Sequence, residues 1–106
     1  MTETKIYVGL NDSETLEQKL ETAKYVSLLK KVCYCYHVPF SFSLAEGGYF
    51  NEKGDFTQEK TLILSLIDAK DETIEEIAKD LCAFFHQESV MITKGQITAY
   101  FVSESL

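Results

Sequence analysis

Basic residues are scarce: ten lysines and arginines face seventeen acids, which leaves a formal charge of −7. Phosphate binding draws most of its affinity from clustered Lys and Arg, so nucleic acid is excluded as a natural partner. Anionic membrane surfaces are disfavoured by the same field. Cationic ligands, a basic protein partner and plain solubility remain. Long apolar runs are missing too, so no segment reads as a membrane span. The start, "MTETKIYVGL", has polar residues where an export signal needs a basic region and a longer apolar one. Cysteine occurs three times, at Cys33, Cys35 and Cys82, an odd count without disulfide spacing. Free thiols and no signal point to a reducing cytoplasm. The sequence also has no G-x-S-x-G, no Gly-rich phosphate loop and no H-E-x-x-H, so no familiar nucleophile, nucleotide or zinc-protease site is written in it. No cofactor is implied.

What is present is an ordinary globular composition, 45% hydrophobic and 25% charged over 106 residues, which suits a single domain over 1–106. "KIYVGL" (Lys5 to Leu10) alternates, with Ile6, Val8 and Leu10 on one face of a strand. Asn11, Asp12 and Ser13 offer helix caps, and Leu16, Leu20, Ala23, Val26 and Leu29 recur at helical spacing, predicting a helix that ends near Lys31. Val38 to Glu46 reads as a half-buried strand that Pro39 marks as an edge. "GGYFNEKGDFTQ" reads as a loop, and Lys60 to Asp68 as a central strand covered on both faces. Asp71 caps a second helix with Ile74, Ile77, Leu81 and Phe84 or Phe85 as its apolar stripe. The stretch from Ser89 closes the chain as strand, with Lys94-Gly95 as a candidate hairpin turn.

The order β-α-β-β-α-β predicts an α+β fold, the ferredoxin-like split β-α-β sandwich. Two helices lie on one face of an antiparallel sheet, with an extra C-terminal hairpin strand as an option. The succession of Gly48 and Tyr49, then Phe85, Gln87, Glu88, Ser89 and Val90 (F-x-Q-E-S-V) resembles an uncharacterised family of small bacterial ferredoxin-like domains. The chain departs from that family where Tyr49 replaces a frequent tryptophan, and in lacking the export signal of some members. The resemblance implies the fold and no activity.

Candidate chemistry concentrates in three places. "AFFHQESVMI" (Ala83 to Ile92) puts His86, Gln87, Glu88 and Ser89 between two apolar runs. Either Glu88 serves as a general base or ligand assisted by His86 or Ser89, or the polar knot closes a helix whose Phe84 and Phe85 are buried; the second account is preferred, since consecutive side chains do not converge. Cys33, Cys35 and His37, with Cys82 and His86 four apart on a helix, are soft donors that would need two separate groups to meet in order to bind zinc; small core cysteines are the simpler account and no metal is expected. The segment 46–59 carries Glu46, Glu52, Asp55 and Glu59 around Tyr49, Phe50 and Phe56. A long hairpin loop on this fold is how signalling proteins similar to the PII family reach their partners, but an acidic loop does not suit their nucleotide phosphates. It suits a protein contact. The thirteen Phe and Tyr could line a pocket, though core packing is the default for such residues.

The reading these observations favour is a cytoplasmic ferredoxin-like module, leaning away from enzyme, that self-associates as a homodimer and binds a protein through 46–59 or a small molecule. The alternative is a small cofactor-independent enzyme with an aromatic pocket and Glu88 and His86 at its mouth.

Overall fold

A computed structural model describes residues 1–105. The elements are β1 (Thr2–Gly9), α1 (Thr22–Tyr36), β2 (Ser41–Phe50), β3 (Phe56–Ile67), α2 (Asp71–Phe84) and β4 (Met91–Gln96). The sheet order is β2-β3-β1-β4, with every pairing antiparallel, which is the ferredoxin-like arrangement. β2 is an edge strand and β1 and β3 are central, as the order of apolar segments predicts.

The core lies between the helices and one face of the sheet. Thr4, Ile6 and Val8 of β1 sit opposite Leu66, Leu64 and Leu62 of β3, and all six are essentially buried. Tyr25, Leu29, Val32 and Cys33 of α1 close over them, with Ile74, Ile77 and Leu81 of α2. Tyr36 donates to Asp80 Oδ2 at 2.8 Å and ties α1 to α2. That bond, then burial, pushes the Tyr36 hydroxyl up to about 12 from 10.0. The folded state therefore holds the protonated phenol, and this contribution is lost as pH rises from about 10 through 12.

Five expectations need correction. β3 is not covered on both faces: Thr61, Ile63 and Ser65 are half-buried and Ile67 is exposed, because both helices lie on the other side. α1 starts at Thr22 and continues through Cys33 and Cys35, where no Pro or Gly stops it. Asp12 does cap a turn, accepting from Glu14 N at 2.9 Å and Thr15 N at 3.2 Å, but Leu16 turns left-handed (φ 60°) and aborts the helix there. Those two amides, more than the Lys19 ammonium, hold the Asp12 carboxyl below its usual range. Leu16 and Leu20 are consequently exposed rather than part of a helical stripe. α2 begins at Asp71 rather than being capped by it, and the Asp71 carboxylate pairs with Lys94. Finally, β4 runs straight through Lys94-Gly95, so no hairpin turn forms there and no fifth strand follows among the described residues.

Candidate functional site

The apparent loop 47–58 is mostly strand. β2 and β3 stay paired from Ser41↔Ser65 to Phe50↔Phe56 without a break, so the hairpin projects beyond the helices. Only Asn51 to Asp55 turns. Asn51 Oδ1 accepts from Lys53 N at 2.9 Å and Asp55 N at 3.1 Å, and Gly54 takes the positive φ (85°) that closes the turn. Gly47 and Gly48 are strand residues, and a Cβ at Gly48 would overlap first the Thr57 backbone carbonyl and then the Phe56 ring. Phe50 and Phe56 meet edge-to-face at 5.4 Å and stay exposed, as does Tyr49 at the margin.

At the base of this hairpin the β1–α1 loop crosses over and forms an open cleft of about 440 Å³. Its centre is Glu59. The carboxylate lies across Gly9, occupying the space a Cβ there would fill, and Oε2 accepts from Asn11 N at 3.1 Å. Asn11 is buried; its Nδ2 donates to Gln58 O at 2.8 Å, which fixes the loop to β3. Glu46, Gln18, Phe56 and Lys60 complete the walls. Glu46 and Lys60 are directly opposite in the β2–β3 register, yet among the described residues neither they nor Glu59 form an ion pair. The cleft thus presents two carboxylates, one ammonium, side-chain amides and one aromatic ring, with a net charge of minus one. It can hold a small cation that carries a flat apolar part.

The polar knot after α2 is a helix stop that also braces this cleft. Phe85 is buried against Tyr25, with ring centroids 5.1 Å apart, while Phe84 faces out, contrary to the expectation that both are buried. One residue is a single 100° step on a helix, and only one of two neighbours can face the core. His86 adopts a left-handed conformation (φ 53°), and Gln87 N reaches back to Cys82 O at 2.9 Å, the bond that closes a Schellman-type end. His37 ends α1 in the same left-handed conformation (φ 52°). Gln87 Nε2 donates to the carbonyl of Asn11, the residue whose amide holds Glu59. Glu88 and Ser89 are exposed and make no side-chain hydrogen bond among the described residues. Glu88 and His86 border a second open groove of about 550 Å³ with Asp12, Lys19 and Cys82, distinct from the Glu59 cleft. Gln87→Ala is expected to cost about 1 kcal/mol of stability, a typical net hydrogen bond, and Glu88→Gln to stay within ~0.5 kcal/mol, both read by urea denaturation.

The soft donors do not converge. Two residues apart on a helix, Cys33 points into the core and Cys35 into solvent. Among the described residues no group of three or more His, Cys, Asp and Glu side chains could hold a metal. Burial pushes the Cys33 thiol up to about 11. A thiol reagent at neutral pH is expected to modify Cys35 quickly, half-buried Cys82 more slowly and Cys33 only after denaturant, counted by intact mass. Nor is the aromatic set mainly core: of the Phe and Tyr residues only Tyr25 and Phe85 are buried. No helix among the described residues is long and apolar enough to cross a membrane.

No family model matches the chain, and no curated protein is similar to it in sequence. Solved structures share its fold. A phage SAM lyase in its apo state superposes with a TM-score of 0.69 at 22% identity, over 96% of this chain and 92% of that one. The phage SAM lyase in complex with S-methyl-5'-thioadenosine gives 0.69 at 21% identity, over 90% and 80%. The periplasmic divalent cation tolerance protein CutA from Archaeoglobus fulgidus gives 0.58 at 12% identity, over 93% and 87%. At these identities the likeness establishes the small ferredoxin-like α+β fold and nothing finer.

Proposed function

We propose that the cleft beneath the β2–β3 hairpin binds a cationic adenosyl ligand of the S-adenosylmethionine type, and that the chain acts on it as a lyase. The observation that carries this is the Glu59 carboxylate, half-buried, aimed across Gly9 and free of any ion pair among the described residues. S-adenosylmethionine carries a sulfonium, an ammonium and a carboxylate, a net charge of plus one. Glu46, Glu59 and Lys60 carry the complementary set. Phe56 offers a face for the adenine, a stacking contact of about 1–3 kcal/mol. The −7 charge of the whole chain draws a cation toward it. The phage SAM lyase likeness supplies the reaction class and is the reason for preferring lysis over storage. Such a reaction breaks the bond from sulfur to the methionine-side carbon as the ligand's own carboxylate oxygen attacks that carbon. A lactone C–O bond forms, the electron pair of the broken bond goes to sulfur, and S-methyl-5'-thioadenosine leaves with no water consumed. The test is incubation with S-adenosylmethionine and mass spectrometry of the nucleoside. Accumulation of S-methyl-5'-thioadenosine supports the reading, and unchanged S-adenosylmethionine at high protein concentration refutes it.

A non-catalytic interaction module is the second reading, favoured by the exposure of Tyr49, Phe50 and Phe56 on the projecting hairpin. Self-association belongs to both readings, its ground being two open sheet edges and a half-uncovered sheet. A reducing cytoplasm suits three unbridged cysteines. Glu88 and His86 remain the alternative enzyme site: both side chains are exposed at the edge of the second groove, and the left-handed backbone that ends α2 at His86 leaves its imidazole free. The F-x-Q-E-S-V likeness adds no chemistry: Phe85 packs and Gln87 braces.

A further inference from the structure

Two stretches of the chain are left without partners, and both lie in runs poor in charge. After β4 the chain runs on without regular structure, and Tyr100, Phe101 and Val102 are 82%, 91% and 84% exposed. Residues 95–103 contain no Asp, Glu, Lys or Arg. The other stretch is the outer edge of β2, which pairs only with β3. Residues 32–45, which include the first half of β2, form another run without those four residue types. Natural sheets protect open edges with lysines, bulges or prolines inside the strand. β2 has none of these: its register is unbroken over ten residues, Glu46 is its one charge, and Pro39 lies before it.

We infer that the segment Ile97–Val102 of one copy pairs with the β2 edge of a second copy as a fifth strand; this deepens the self-association proposed above and depends on it. The segment cannot serve its own β2. Ile97 N donates to Met1 O at 2.8 Å, so the segment leaves along the far edge of the sheet, beyond the end where β1 begins. Reaching the outer edge of its own β2 past β1 and β3 spans four inter-strand gaps, ~19 Å, which uses up nearly all of the ~20 Å that six extended residues reach and leaves none to pair. The hairpin and this segment lie at opposite ends of a molecule 59 Å long and 26 Å wide, which places them to engage neighbours. The composition "ITAYFV" is β-branched and aromatic, as an added strand prefers.

Area and charge both favour a second copy as the occupant. Two aromatic side chains that bury 150–250 Å² each, with Val102, give roughly 400–500 Å² per segment and about as much again on the strand it covers. A reciprocal exchange then buries on the order of 1,600–2,000 Å² in total, within the range of stable interfaces. Two chains of −7 charge repel, and contact between two uncharged runs keeps carboxylates out of the interface.

The test is native mass spectrometry of the chain at micromolar concentration beside the double variant Tyr100→Asp with Phe101→Asp. Both side chains are exposed, so the variant should fold, and circular dichroism with a melting curve checks this. The expected result is an oligomer of the 12.1 kDa chain that falls to a monomer in the variant. Hydrogen exchange should show loss of protection at residues 41–45 and at 97–102. An oligomer unchanged in the variant overturns the inference and leaves self-association standing. A monomeric parent chain overturns both. Dissociation without any change in β2 exchange overturns the pairing, since the segment would then dock elsewhere.

Discussion

Glu59→Gln is expected to weaken binding of S-adenosylmethionine about 10- to 100-fold, the loss associated with a charged hydrogen-bond partner worth roughly 1.5–3 kcal/mol. Binding of uncharged S-methyl-5'-thioadenosine should hardly change. The contrast isolates charge, because Gln keeps the shape of Glu and its carbonyl can still accept from Asn11 N. Folding stability should stay within about 1 kcal/mol, since the side chain is only half-buried and makes one hydrogen bond. Gly9→Ala is the companion variant. A Cβ at residue 9 overlaps the Glu59 carboxylate, which is the far end of a flexible side chain and can swing away. It should reproduce the binding defect by displacing the carboxylate rather than removing it. Calorimetry with both ligands reads the result, and equal losses for the two would show that Glu59 shapes the cleft rather than supplying charge to it.

Phe85→Ala is expected to cost about 3–5 kcal/mol, the usual range for deleting a buried phenylalanine. Small domains are stable by only about 5–15 kcal/mol, so this change should leave the chain marginal or unfolded at growth temperature. Phe85 is 1% exposed and packs on Tyr25 at the point where α2 hands over to β4. Its removal leaves a cavity beside Tyr25, in the cluster that α1 and α2 share. Phe84→Ala, one residue earlier, should change stability by less than ~1 kcal/mol, because that ring is half-exposed. Urea titration of both variants separates them. Comparable losses would mean that Phe84 is covered in solution, by a second copy or another protein.

The fold was legible where local period and burial agree. Ile6, Val8 and Leu10 alternate in sequence and are fully buried in fact, and Ile74, Ile77 and Leu81 keep helical spacing and face the core. Legibility failed where a correct local signal was overruled a few residues later. Asp12 caps a turn as its type suggests, but a left-handed Leu16 converts the would-be helix into a loop. Gly47 and Gly48 read as breakers because backbone freedom is the common use of glycine; here Gly48 answers to a close approach, of the Thr57 carbonyl and then the Phe56 ring. Of the cleft, the segment 46–59 showed its acids and aromatics in one dimension. Asn11 and Gln18 were invisible as site residues. They lie some forty residues away in sequence, and only the β1–β3 pairing brings Asn11 to Gln58 and Glu59. Gln87 was hidden for the same reason, its role being a contact to Asn11 across the domain.

The link from Gln87 through Asn11 to Glu59 joins the helix stop to the cleft. It predicts that loosening the end of α2 is felt first at the acid, before the core gives way. Within the polar stretch between two apolar runs, Gln87 is thus the residue that holds a loop in place.

The most direct measurement is amide NMR of the ¹⁵N-labelled chain titrated with S-adenosylmethionine. The account predicts saturable shifts centred on Asn11, Gln18, Phe56 and Glu59, absent in Glu59→Gln at the same ligand concentration. Shifts confined to the groove of His86 and Glu88, or no shifts at millimolar ligand, would contradict it.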